Sequence, residues 1–270
     1  MPRRRKVSPY LIKSSQNMQE TRNSIDNFAF SFLQNIWRYS MFMHSVLKNL
    51  PDNNDILLVP ISQYIVSLVG CTETFLRDTF VYLLQIDENY YTGICGIVGV
   101  NSNKASDDIG SGVTHAEFIS QFFNFQNASD IETAFGPLFE DHQYLTNISQ
   151  FRVPYIFRKR GVLSLFALDQ VFDVHTIFNE TLGYRHRIVH DANYRPNISR
   201  NFISTAEALF ILLPQIFAVW VAQKYDLRYS VLNLANNTVA LSKLNGLNQH
   251  EVPYIFQIED LIADDWVISE

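Results

Sequence analysis

The chain has 270 residues, 47% of them hydrophobic, enough to bury a sizeable core in one large domain or one domain with extensions. A formal net charge of −6 argues against a general nucleic-acid binder, because phosphate contacts need local positive potential. Cys71 and Cys95 are too far apart for a CxxC unit, so the sequence reads as a reducing, cytoplasmic protein without a zinc site, a signal peptide or a membrane span.

Arg3-Arg4-Arg5-Lys6 opens a solvated basic tail. From Ser24 to Leu50, Ile25, Phe32, Tyr39 and Val46 recur every seven residues with Ala29, Ile36, Met43 and Leu50 between them. This pattern predicts an amphipathic helix that docks on the rest of the chain or across a dimer. Pro51-Asp52-Asn53-Asn54-Asp55 breaks the chain. From Tyr64 to Leu84 the residues Ile65, Val69, Leu76, Phe80 and Leu83 form one helical stripe, and Glu73 sits on it. A carboxylate turned toward packed surface needs a partner, either Arg77 one turn on or a charge supplied by another element. Gly93-x-x-Gly96-x-x-Gly99 lacks dinucleotide or P-loop spacing and reads as a strand or loop.

Thr114-x-x-Glu117 and Ser129-x-x-Glu132 are capping boxes expected to start helices of about 12 and 10 residues. Val162 to His190 reads as one long helix with Leu168, Val171, Phe172, His175, Phe178, Leu182 and Val189 on one face. His175 is there a core histidine, and Arg185 falls on the same stripe. Asp191 to Asn201, with Pro196, reads as a loop. Ser204-Thr205-Ala206-Glu207 is a third capping box, leading into a helix over Ala208 to Ala222 so apolar that it should be central and buried. Tyr229 to Leu234, an Asn236-Asn237 turn, Thr238 to Leu244 and an Asn245-Gly246 turn predict a small β-hairpin region. Val252-Pro-Tyr-Ile-Phe256 repeats Val153-Pro-Tyr-Ile-Phe157, a coincidence or two similar edge strands. The fold class is mainly α, a bundle of four to five helices. The basic tail and N-terminal helix occupy 1–55, the helical domain 56–227, and a β-rich acidic extension 228–270.

Charge is unevenly spread. Residues 152–200 hold eight basic side chains against four acidic ones, whereas the last 20 residues hold six carboxylates and no base. The basic segment contains Tyr184-Arg185-His186-Arg187-Ile188-Val189-His190-Asp191, with an arginine five residues before a histidine and an imidazole directly after the arginine. Histidine changes charge near neutral pH and serves as general acid or base, and arginine is a permanent, fork-shaped phosphate ligand. On a straight helix, however, an offset of five residues turns His190 by about 140° from Arg185. The two meet on one phosphate only if the helix loosens near its end.

Arg-(Asn/Asp/His)-x3-His at the end of a long helix resembles the signature of the HEPN superfamily (higher eukaryote and prokaryote nucleotide-binding), and the resemblance covers about residues 56 to 227. Glu73-Thr74-Phe75-Leu76-Arg77-Asp78 is similar to the motif of that family's first core helix, whose acidic residue faces the later Arg and His. The resemblance implies a metal-independent endoribonuclease, a toxin or anti-phage effector, that needs no cofactor and acts on RNA as a homodimer with both copies lining one cleft. It makes Arg185, His190, His186 and Glu73 the catalytic group, with Arg187, Arg195, Arg200 and Lys159 as basic side chains for RNA. Attack of the 2′-hydroxyl on the neighbouring phosphate would leave a 2′,3′-cyclic phosphate. Two alternatives stand beside it: a module that binds nucleotides or proteins without cutting, and a toxin silenced by a nucleotidyltransferase antitoxin that modifies Tyr184 or Tyr194.

Overall fold

The computed structural model describes residues 24–49, 55–100, 113–157 and 162–256. The basic N-terminal tail, the break after Leu50, Lys159 and the acidic residues after Phe256 lie outside the described residues. Eight α-helices and two small antiparallel sheets make up the described part.

Helix α1 (Ile25–Asn49) turns Ile25, Phe28, Ala29, Phe32, Ile36 and Met43 inward at three- and four-residue steps. It docks on its own chain, against α2 (Leu58–Ile86) and the last long helix. α2 is the hub, touching α1, α7 and α8 as well as α4. Asp87 ends α2 and caps α3 (Glu88–Val98), accepting a 2.9 Å bond from the Tyr90 backbone N–H. The glycine-punctuated stretch is therefore helical, not a strand or loop. Tyr90, Ile94 and Cys95 supply the buried face, and Gly99 terminates the helix in the left-handed region at φ 69°.

α4 (His115–Ser120) begins at the complete Thr114/Glu117 capping box but runs only six residues, because the chain then turns Phe123 and Phe125 into an aromatic cluster around Phe80 and Phe135. α5 (Ala128–Phe135) is capped by Asn127, not Ser129. Glu132 instead accepts from the backbone N–H groups of Tyr144 (2.7 Å) and Leu145 (3.0 Å), which opens α6 (Tyr144–Gln150).

The expected helix over Val162 to His190 is a helix only in its second part. β1 (Val153–Phe157) and β2 (Val162–Phe166) pair as a hairpin from Val153↔Phe166 to Phe157↔Val162. A short apolar run such as Val-Leu-Ser-Leu-Phe satisfies either period, and here a strand partner decides the matter. A 3₁₀ turn over Leu168–Gln170 leads to α7 (Val174–His190), capped by Asp173. Leu168, Phe172, Phe178 and Leu182 are buried as expected. His175 is exposed and bonds the Thr146 hydroxyl at 3.1 Å, so it is not a core histidine.

α8 (Arg200–Lys224) is capped by Ser199, whose side chain accepts from the Phe202 N–H, five residues earlier than the Ser204 box implied. Ala206 to Val219 are buried on every side. α8 is long and apolar enough to cross a membrane by length and composition, yet here it is the axis around which the other elements pack. Each Leu, Ile or Phe so buried contributes about 1.5–3 kcal/mol.

β3 (Arg228–Asn233), β4 (Thr238–Lys243) and β5 (Glu251–Pro253) form a sheet of order β4-β3-β5. Asn237 takes the left-handed conformation at φ 55° in the hairpin turn. The two Val-Pro-Tyr-Ile-Phe segments contribute β1 and β5, both at sheet edges, and these lie against each other. Buried Gln215 of α8 ties this region down, donating to the Phe256 carbonyl and accepting from its N–H at 2.8 Å.

Candidate functional site

The basic motif occupies the last two turns of α7. Leu182, Phe178 and Thr181 fix which face is buried, and Arg185 continues that face, half-buried where the helix leaves the core. α7 stays regular to its end: the Asp191 N–H donates to the Arg187 carbonyl at 2.9 Å, an i to i−4 bond. The helix does not loosen, so Arg185 and His190 of one chain point about 140° apart and are separated by about 7.5 Å along the axis.

Two imidazoles converge instead. His186 and His190, one turn apart and both exposed, have ring centroids 4.7 Å apart. Neither ring has a hydrogen-bond partner among the described residues. Beside them the Arg187 guanidinium is held between Tyr184 and Tyr194, 4.9 Å from each ring, and its Nε donates to the Gly183 carbonyl. Tyr184 packs edge-on against Phe202 of α8. Arg187 therefore carries a fixed charge, not a freely swinging one. Arg195 is exposed in the loop after α7.

Other members of the sequence-derived set are engaged elsewhere. Glu73 pairs with Arg77 at 3.0 Å and accepts a hydrogen bond from Gln126, while Arg77 also donates to the Ser120 carbonyl. Glu73 thus fastens α2 to α4 and the loop after it, and is not brought to Arg185 or His190. Gln63, which lies near the end of α7, is ten residues before Glu73, about 15 Å along α2. Arg200 is half-buried and engaged within the chain: its Nη1 donates to the Leu47 carbonyl at 2.6 Å, joining the start of α8 to the end of α1.

A cavity of about 320 Å³ opens between the first turns of α2 and the loop after α7. Ile188 forms one wall and Arg195 lies at its rim. Ile188 follows Arg185 by three residues, only about 60° away around the helix, so the cavity and Arg185 share one side of α7 and the two histidines occupy the other.

A buried polar cluster lies apart from this motif. Glu207, 4% exposed, accepts from the Tyr64 hydroxyl at 2.6 Å and meets His44 Nε2 at 2.9 Å, while Ser40 bonds the Tyr64 oxygen at 3.0 Å. Burial alone would raise the Glu207 carboxyl, but hydrogen bonds from His44, Ser40 and Tyr64 outweigh it and hold it below the ordinary carboxylate range. The bond to Glu207 raises the His44 imidazole against the opposing pull of burial. Burial, with Glu207 next to it, pushes the Tyr64 hydroxyl far up. The sequence did carry a signal for this cluster. Glu207 lies between apolar neighbours in the most hydrophobic helix, the same anomaly that singled out Glu73, and the capping-box pattern masked it.

No family model, curated protein or solved structure matches the chain. Among the described residues no group of three or more His, Cys, Asp or Glu side chains is placed to hold a metal ion.

Proposed function

We propose that the chain is a HEPN-type endoribonuclease that cuts RNA without a metal ion and works as a two-fold homodimer. The observation that carries this reading is the exposed His186/His190 pair, 4.7 Å between ring centres at the end of a regular helix, with the clamped Arg187 on the same helix end. One imidazole takes the proton of the 2′-hydroxyl, the O2′ atom bonds to phosphorus, and the bond to the 5′-oxygen breaks as that oxygen receives a proton from the second imidazole. The products are a 2′,3′-cyclic phosphate and a 5′-hydroxyl. An arginine is needed on the phosphoryl oxygens, where charge accumulates.

Within one chain Arg185 faces away from the histidines, and this supports a composite site. In a two-fold dimer the Arg185 side of one α7 meets the histidine side of the other. Exposed apolar residues flank the helix end, with Val189 46%, Ile56 64% and Val59 74% exposed, a surface suited to a second copy. The 140° separation equally favours a second reading, a module in which Arg185 holds a nucleotide phosphate and nothing is cut. Tyr184 and Tyr194, the side chains an antitoxin would modify, are the two rings that clamp Arg187, so a group added there would disturb the same helix end.

Purified protein incubated with total RNA in EDTA tests the proposal, with the cleaved ends mapped and the mass measured by light scattering. Cyclic phosphate ends from a dimer, lost in His190→Ala and in His186→Ala, are expected. Cleavage that requires added magnesium or manganese overturns the mechanism. Nucleotide binding without cleavage establishes the second reading instead.

A further inference from the structure

One side of α1 is apolar yet faces away from the core. Phe30, Trp37 and Met41 are 59%, 41% and 57% exposed. They fall within about 40° of one another around the helix, on a line about 16 Å long. Single exposed apolar side chains are ordinary on a protein surface, whereas three large ones in line mark a surface that another apolar segment covers. Lys48, seven residues beyond Met41, continues the line, and Arg38 flanks it. Asp26, the acid of α1, is turned to the sheet, where it accepts from the Ser230 N–H at 2.8 Å. The outer side of α1 is therefore apolar with a basic end.

The chain itself arrives at this line. The Phe256 ring meets Trp37 edge-on, with centroids 5.8 Å apart, and the Phe256 backbone is fixed by both of its bonds to Gln215. The next residue is thus delivered to the middle of the stripe. Residues 257–270 lie outside the described residues, but their sequence is complementary to it. Ile258, Leu261, Ile262 and Trp266 recur at three- and four-residue steps, and Glu259, Asp260, Asp264, Asp265 and Glu270 come without a single base. At about 3.3 Å per residue if extended, or about 1.5 Å if helical, the segment is long enough to cover the line in either form. We propose that residues 257–270 dock on the outer side of α1, over Phe30, Trp37 and Met41, with their carboxylates toward Lys48 and Arg38. Because the segment is tethered beside Trp37, its effective concentration there is on the order of millimolar, and a contact of modest area suffices to hold it. This docking is independent of the ribonuclease proposal.

Hydrogen exchange read by mass spectrometry on the full chain tests this, with an isolated peptide of residues 257–270 as the undocked reference. In wild type the amides of the segment are expected to exchange at least about tenfold more slowly than in the peptide, and equally so on dilution. Phe30→Glu combined with Met41→Glu, both at exposed positions, is expected to return them to the peptide's rate while the amides of α8 stay protected, which shows that the core is intact. Lys48→Glu is expected to lower the protection about two- to threefold. Phe42→Glu, at a position 57% exposed but about 120° around the helix from the stripe, is expected to leave it unchanged. Exchange at the peptide's rate in wild type overturns the docking. So does protection that survives the double change or falls equally in Phe42→Glu. Protection lost on dilution makes a second copy the occupant and overturns the intramolecular contact.

Discussion

Replacing Tyr64 by Phe deletes one oxygen and leaves the packing between α1, α2 and α8 intact. That oxygen donates a 2.6 Å bond to the carboxylate of Glu207, which is 4% exposed. A hydrogen bond to a charged group contributes about 1.5–3 kcal/mol, and the buried Ser40 hydroxyl loses one of its contacts in the same step. The expected destabilisation is about 2–3 kcal/mol. A chain of this size loses about 2–4 °C in melting temperature per kcal/mol, so Tm should fall by about 5–10 °C. Urea denaturation followed by circular dichroism gives the free energy, with an unchanged slope showing that the folded state is otherwise the same. Because the cost arises from leaving a buried carboxylate with fewer donors, Tyr64→Phe combined with Glu207→Leu should recover part of it. Should Tyr64→Phe stay within about 0.5 kcal/mol of wild type, Glu207 does not depend on this bond and the cluster does not tie the three helices together.

The same cluster sets a pH dependence. The imidazole of His44 is raised, so its contribution is complete below its unfolded value and is lost as pH rises through the higher folded one. The Glu207 carboxyl is lowered, so its contribution is present above its unfolded value and lost as pH falls through the folded one, placing the pair's maximum between the two ordinary values; His44→Ala should flatten the alkaline limb of a stability-versus-pH curve measured by urea denaturation, and an unchanged limb would contradict the pairing. Glu73→Ala should cost at most about 1 kcal/mol, since its pair with Arg77 is partly solvated, and should leave RNA cleavage at wild-type rate; a variant that is stable but inactive would return Glu73 to the catalytic group. Arg200→Ala should lower stability by about 1–3 kcal/mol by freeing the Leu47 carbonyl, with RNA affinity in a filter-binding assay unchanged, and the opposite pattern would make it an RNA contact.

The motif end of the molecule was legible in part. The stripe through Leu182 placed Arg185 on the packing face, and helix arithmetic gave the 140° that separates it from His190. Whether α7 would loosen was not legible, because that depends on what holds the last turn. The structure keeps the i to i−4 bond into Asp191 and clamps Arg187 between Tyr184 and Tyr194, one of which comes from the following loop. The closeness of His186 and His190 follows from i, i+4 spacing alone.

Three copies of one local pattern show where sequence stops. Thr114-x-x-Glu117 closes on itself as a capping box, the outcome local chemistry favours when nothing else competes. In Ser129-x-x-Glu132 the carboxylate is taken by the Tyr144 and Leu145 N–H groups of the next helix, and Asn127 caps in place of Ser129. In Ser204-x-x-Glu207 the helix already started at Ser199, and Glu207 lies in the core with Tyr64, 143 residues earlier in the chain. By itself the sequence determined that the protein is mainly helical, which faces of α1 and α2 are apolar, that α8 is buried, and that a hairpin follows it, since each depends on periodicity or turn chemistry within a few residues. Tertiary structure decided the partners of the carboxylates and the strand character of Val162 to Phe166. Those outcomes are set by which distant donors and strands come within hydrogen-bonding reach, and spacing along the chain does not encode that.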